Sequence, residues 1–184
     1  FLSAVRPENL ESAFLRLLRG EFRVEERMML QACVLREGRE VGGGVALNDA
    51  VVAKSALARI LRLSIYASGE LVAAIRADGL IVSTPTGSTA YALSAGGPIV
   101  WPSLDALLLV PLSAHALFAR PLVVGPNSSL AVELLERTPG LGVLWCDGRR
   151  PFDLPIGARV VARRSSTPVR LARLHQGPFT DRLV

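Results

Sequence analysis

The sequence predicts a mainly β protein, a β-sandwich or a related all-β body. Short apolar runs of strand length recur from Phe22 onward, and each is bounded by Pro, Gly, Asn or Ser. Only two stretches carry helical spacing, Pro7–Arg19 and about Thr89–Ala95.

The elements follow in chain order. In RPENLESAFLRLLRGEF, Pro7 suits a first helical turn, Glu8 and Glu11 favour the N-terminal end, and Gly20 stops the helix. Leu10, Phe14, Leu17 and Leu18 share one face. From Phe22 to Lys54 the pattern is strand-like, broken by a polar turn at Glu37–Glu40 and by Gly42–Gly44. LRLSIYASGELVAAIRADGLIVST reads as two strands around Ser68-Gly69, with a further break at Asp78-Gly79. The strand series continues with ALLLVPL, PLVVGPNSSLAVELL, GVLWCDGRR, ARVVARRS and PVRLARL. Between them, Gly96-Gly97 ends the second helix. No internal repeat, low-complexity tract or long linker is present.

Composition bounds the function. Half of the 184 residues are hydrophobic and a fifth are charged, a globular balance. No apolar run reaches the roughly 20 residues of a membrane span. No basic, apolar, cleavable leader is visible, which points to the cytoplasm, and the start without Met points to an incomplete chain. Cys33 and Cys146 lie far apart and fit neither a zinc spacing nor a disulfide framework, so both read as reduced core residues. The net charge is +5, with Lys54 the only lysine. The basic residues are dispersed, with Arg149-Arg150 and Arg163-Arg164 the densest clusters, which argues against a nucleic-acid surface. Arginine does suit small phosphate ligands, through its planar fork of donors.

Several familiar sites are absent. TPTGSTA has no lysine and is not a nucleotide phosphate loop. Gly42–Gly44 is too compact for a dinucleotide fingerprint. His115 and His175 have no ligand partners nearby, and there is no nucleophile elbow. What remains is ligand-shaped. The hydroxyl-rich loop Ser83–Thr89 ends an apolar strand, and Ser88 or Thr89 is placed to cap the next helix and leave backbone N–H groups for an acceptor. Tyr91 and Ser94 share a face of that helix. The same stretch reads equally well as a plain strand–turn–helix. Asn48-Asp49 follows an apolar strand: an amide beside a carboxylate grips vicinal hydroxyls, although a simple turn is the more economical reading in isolation. Asp147-Gly148 carries the same ambiguity.

These pieces together resemble NAD kinases. The resemblance rests on R-x-D-G at Arg76–Gly79, TPTGSTAY at Thr84–Tyr91, SAGGP at Ser94–Pro98, H-x-L-x-x-RPLV at His115–Val123, and Asp147-Gly148. Asn48-Asp49 matches the family's Asn-acidic pair, with Asp, one methylene shorter, where Glu is commoner. The resemblance implies phosphorylation of the adenosine-ribose 2′-hydroxyl of NAD by ATP or polyphosphate, with Mg²⁺ or another divalent metal accompanying the donor. It implies an NAD site formed by Asn48, Asp49, Arg76, Asp78, Thr86, Thr89, Ala90, Tyr91, Ser94 and Asp147. It also implies a cytoplasmic homo-oligomer, dimer or tetramer, with no nucleic-acid or membrane partner.

The family's GGDGT, which belongs to an N-terminal α/β domain and supplies the presumed catalytic Asp, does not occur in this sequence. The chain is therefore expected to hold no catalytic residue and to be inactive in isolation. Residues 1–20 are expected to end that missing domain, 21–172 to form the NAD-binding β domain, and 173–184 to return toward the N-terminal domain. A non-catalytic dinucleotide-binding module is the alternative.

Overall fold

The computed structural model describes residues 5–55, 60–115, 119–136 and 141–174. His175 and the tail beyond it lie outside these residues. A 3₁₀ turn over Pro7–Asn9 leads into α1 (Leu10–Leu18). Strands β1 (Arg23–Arg27), β2 (Leu30–Arg36), β3 (Arg39–Ala46), β4 (Asp49–Lys54), β5 (Leu61–Ala67), β6 (Glu70–Ala77) and β7 (Gly79–Ser83) follow. Next come a 3₁₀ turn at Thr86–Thr89 and α2 (Tyr91–Ser94). The chain continues through β8 (Leu107–Leu112), β9 (Leu122–Val124), β10 (Leu130–Leu134), β11 (Gly142–Cys146), β12 (Arg149–Leu154), β13 (Arg159–Arg164) and β14 (Val169–Arg173).

Two six-stranded antiparallel sheets face each other, ordered β3-β2-β13-β10-β5-β6 and β12-β11-β4-β7-β8-β9. Side chains alternate across each strand. In the second sheet Ala50 and Val52 of β4, Leu80 and Val82 of β7, and Leu144 and Cys146 of β11 point into the core between the sheets. Val51, Ile81, Leu108 and Val110 point the other way and pack with Ala92 of α2 in a smaller cluster on the outer face. That outer face carries the candidate site.

Three hairpins use the predicted turn chemistry. Glu37-Gly38, Ser68-Gly69 and Asp147-Gly148 all have positive φ at both positions, the backbone that matches strand twist in a two-residue turn.

Other expectations are corrected. Gly42–Gly44 does not break a strand; it lies inside β3. Gly42 and Gly44 sit where the opposite sheet comes close: a Cβ at Gly42 would collide with the Phe152 ring of β12, and one at Gly44 would stand 3.0 Å from Cys146 Sγ; at Gly43 a Cβ would meet the Ala32 carbonyl of β2. The second helix is a single turn. Ala90, at φ −99° and ψ −130°, separates it from the 3₁₀ turn, so no helix runs from Thr89. Gly96 at φ +84° closes that turn: Gly97 N–H bonds the Ala92 carbonyl and Gly96 N–H that of Leu93, the Schellman pattern. The apolar stripe of α1 is present, yet none of its residues is buried. Finally, β1 and β14 form a two-stranded ribbon of their own, tied by Arg173–Glu25 and Arg170–Glu26 pairs, and do not extend either large sheet.

Both cysteines are free and buried. Among the described residues no helix is long and apolar enough to cross a membrane.

Candidate functional site

The site begins where the chain changes sheets. β3 ends at Ala46 in one sheet and β4 begins at Asp49 in the other. Leu47 and Asn48 cross between them, so their backbone groups leave the ladder and need other partners. The Asp147 carboxylate supplies those for the donors. Its Oδ2 accepts from Leu47 N–H at 2.8 Å, and its Oδ1 from Asn48 N–H at 2.7 Å and Asp49 N–H at 3.2 Å. Asp147 N–H in turn donates to the Asp49 carbonyl at 3.0 Å. Bonds to a charged acceptor are the stronger kind. The carbonyls of the crossing are held from the other side. Thr84 Oγ1 donates to Leu47 O at 2.5 Å, and Thr84 N–H and Ser83 Oγ donate to Asn48 O at 2.9 and 3.1 Å.

This clamp explains much of TPTGSTAY. Thr84 Oγ1 also accepts from Gly87 N–H at 3.1 Å, which curls the chain back over Asn48. Gly87 touches the Asn48 peptide so closely that any Cβ would overlap its carbonyl. Ser88, fully buried, donates to Pro85 O at 2.7 Å and accepts from Val100 N–H at 2.9 Å. Thr89 Oγ1 donates to Thr86 O at 3.3 Å. Neither hydroxyl therefore caps α2, contrary to the sequence expectation. The reason is that other groups claim them: Ser88 bonds Pro85 and Val100, and Thr89 bonds back to Thr86. A helix of one turn also has too little aligned dipole to hold an anion at its start.

A cleft of about 390 Å³ opens beside the clamp, lined by Asn48, Asp49, Val51, Ala53, Ala90, Tyr91, Trp145, Asp147 and Gly148. Strand alternation accounts for its make-up. Asp49, Val51 and Ala53 are successive outward residues of β4, and Trp145 is the outward residue beside them on β11, in register with Val51. They form an apolar floor with carboxylates at one end and the half-exposed Tyr91 ring along the side.

Five of the expected site residues line this cleft: Asn48, Asp49, Ala90, Tyr91 and Asp147. Thr86, Thr89 and Ser94 lie in the flanking turns. Arg76 and Asp78 are not among the residues that line it. Asp78 pairs with Lys54 at 2.6 Å, at the far end of β4, five residue steps or roughly 17 Å from Asp49. Arg76 is bridged there to His115. Sequence reasoning missed Val51, Ala53 and Trp145. The alternation about the buried Ala50 and Val52 was the available signal. A second groove of about 480 Å³ lies between α1 and the β1–β14 ribbon, lined by Arg16, Gly20, Glu21, Phe22, Arg23, Arg173 and Leu174. It holds none of the expected residues. Among the described residues no group of three or more His, Cys, Asp or Glu is placed to hold a metal ion.

Comparison with known proteins places these features in one family. Residues 47–174 match the ATP-NAD kinase C-terminal domain. The whole chain is 60% identical to NAD kinase of Leifsonia xyli, covering 60% of that protein, and 52% identical to NAD kinase 2 of Streptomyces coelicolor, covering 61%. The chain thus spans about three fifths of the length of these relatives. Among solved structures, yeast NADH kinase complexed with NADH superposes with a TM-score of 0.88 at 25% identity, over 98% of this chain and 53% of that one. An NAD kinase from Archaeoglobus fulgidus in complex with ATP gives 0.77 at 26% identity, over 95% and 65%.

Asp49 is the electrostatic anomaly of the cleft. It is only 5% exposed, and burial, reinforced by the neighbouring Asp147 carboxylate, raises its carboxyl from 3.8 to about 6. A raised carboxyl binds its proton more tightly in the folded state, so ionisation opposes folding. Its favourable contribution is complete below about pH 4 and is lost as pH rises through about 6. At neutral pH the ionised group therefore works against the fold. We predict that thermal unfolding followed from pH 4 to 7 shows this downward slope, and that Asp49→Asn removes it and is the more stable protein at pH 7. An unchanged slope in Asp49→Asn would assign the titration elsewhere.

Proposed function

We infer that this chain, which belongs to the NAD kinase family and carries its C-terminal domain, binds the adenosine portion of NAD in the cleft beside Asp147 and presents its ribose for phosphorylation. The observation that carries this reading is a buried, strongly hydrogen-bond-accepting carboxylate at the end of an apolar floor. The ionised Asp49 accepts from ribose hydroxyls, and the Asn48 amide both donates and accepts. Val51, Ala53 and Trp145 take the flat apolar faces of the ligand, with Tyr91 as a side wall. Hydroxyl donors also relieve part of the cost of keeping Asp49 ionised, which favours a ligand with vicinal hydroxyls over an anion at that point.

The reaction proposed for the whole protein is transfer of a phosphoryl group from ATP or polyphosphate to the 2′-hydroxyl, giving NADP. Such transfers depend chiefly on positioning and charge neutralisation. The role of this chain is to fix the acceptor. The proton-accepting acid is assigned to the GGDGT segment that this sequence lacks, so we expect the 184 residues alone to bind without turning over. A divalent metal is proposed to travel with the donor phosphates; among the described residues no group of three or more His, Cys, Asp or Glu is placed to hold one.

Assembly into a cytoplasmic dimer or tetramer belongs to the same proposal. The sheet-edge strands expose Val41 and Val45 of β3, Leu71 and Val72 of β6, and Val123 of β9, and such edges need cover. Light scattering should give a closed oligomer; a strict monomer at high micromolar concentration would contradict it.

Calorimetry with NAD tests the site. Asp49→Ala and Tyr91→Ala should remain folded by circular dichroism. Loss of a charged acceptor should weaken NAD binding by tenfold to about a hundredfold, from about 1.5–3 kcal/mol. Wild-type affinity in both variants would place the site elsewhere. NADP formation from ATP or polyphosphate by the chain alone would refute the assignment of the acid upstream.

A further inference from the structure

A short amide or carboxylate side chain where a strand ends ordinarily bonds a neighbouring backbone N–H and closes a turn. Asn48 and Asp49 sit at such a place and do not do this. Among the described residues, the Asn48 amide and the Asp49 carboxylate make no hydrogen bond, although Asp49 is buried.

The donors that would serve them are already taken. Asp147 reaches across from the β11–β12 turn and accepts from the N–H groups of Leu47, Asn48 and Asp49 at 2.8, 2.7 and 3.2 Å. The hydroxyls on the other side are turned toward carbonyls: Ser83 Oγ donates to Asn48 O and Thr84 O, and Thr84 Oγ1 to Leu47 O. An ionised carboxylate holds N–H donors more strongly than an amide oxygen does, and it accepts at both oxygens. Asp147 is itself fixed, because its N–H donates to the Asp49 carbonyl at 3.0 Å. Both carboxylates line the cleft. The oxygens of Asp147 are filled by the backbone, and those of Asp49 are not.

We propose that Asp147 is a positioning residue that touches no ligand. By occupying the three N–H groups of the crossing, it keeps the Asn48 amide and the Asp49 carboxylate from turning onto their own backbone and reserves them for the ligand's hydroxyls. This differs from the direct NAD contact that the resemblance implies for Asp147. It rests on the ribose-binding reading of the cleft and deepens it: one carboxylate contacts the ribose and the other makes it available.

The test uses the 184-residue chain and its Asp147→Asn variant. Asparagine tolerates the φ of 51° at this position. It offers one acceptor oxygen, however, and sets an NH₂ group against the remaining backbone donors. In the wild type, carboxyl ¹³C shifts should move at Asp49 and stay in place at Asp147 as NAD is added. A saturable shift at Asp147 as large as that at Asp49 would make it a ligand contact and overturn the proposal, and this measurement needs no variant. In Asp147→Asn, the Leu47, Asn48 and Asp49 amides should exchange about tenfold faster and NAD should bind about tenfold more weakly. The Asp49 titration midpoint should fall below its wild-type position of about 6, since a like charge is gone. More of Asp49 is then ionised at pH 7, so affinity lost in spite of this marks a misplaced carboxylate and not a missing charge. Unchanged amide exchange, or wild-type NAD affinity in the variant, would overturn the proposal. Absence of NAD binding to the wild type would instead refute the ribose-binding reading, while faster exchange in the variant would still show the clamp.

Discussion

One carboxylate holds the functional end of this domain together. Asp147 accepts the three consecutive N–H groups that the chain exposes as it passes from one sheet to the other at Leu47–Asp49. Without a partner, buried backbone donors of this kind are costly, each on the order of 1–3 kcal/mol. With Asp147 in place the crossing is rigid, and two consequences follow. Asp49 is fixed as the first outward residue of β4, above the apolar floor. The Asn48 carbonyl is fixed where Ser83, Thr84 and the Gly87 backbone close on it. The cleft is the space left between these constraints.

The same arrangement has an energetic cost. Holding Asp147 against the crossing brings a second carboxylate close to Asp49 in a poorly hydrated place, and burial plus that charge make Asp49 reluctant to ionise. A fold selected for stability alone would put a neutral side chain there. The carboxylate makes sense as a group whose hydrogen-bonding capacity is reserved for a ligand, in the way that binding sites commonly retain local destabilisation. The outer-face cluster of Val51, Ile81, Leu108, Val110 and Ala92 then serves as foundation, seating α2 and with it Tyr91.

Much of this was legible in the sequence, and the reasons for the rest are physical. Hairpins were readable because Glu37-Gly38, Ser68-Gly69 and Asp147-Gly148 announce positive φ locally. Sheet-forming runs were readable from length and punctuation. Gly42–Gly44 misled because glycine signals a turn on its own, while its role here depends on Phe152 and Cys146, about a hundred residues away. Ser88 and Thr89 misled for a related reason: a hydroxyl before a helix suggests a cap, and only the fold shows that Pro85, Val100 and Thr86 claim those oxygens first. Asp147 was identified, but its three backbone partners lie 98 to 100 residues upstream, and no local pattern encodes such a contact. Trp145 was passed over as an ordinary apolar strand residue; its outward direction follows only once Leu144 and Cys146 are known to face the core. Asp78 shows a similar limit, since its pairing with Lys54 joins residues 24 positions apart that no local pattern links.

The central claim is that NAD lies across the clamp and the floor beside it. The most direct measurement is a titration of the ¹⁵N-labelled chain with NAD followed by amide chemical shifts. The account predicts saturable shifts concentrated at Leu47, Asn48, Asp49, Tyr91, Gly148 and the Trp145 backbone and indole N–H. Shifts centred instead on the groove of Arg16, Phe22 and Arg173, or none at saturating NAD, would contradict it.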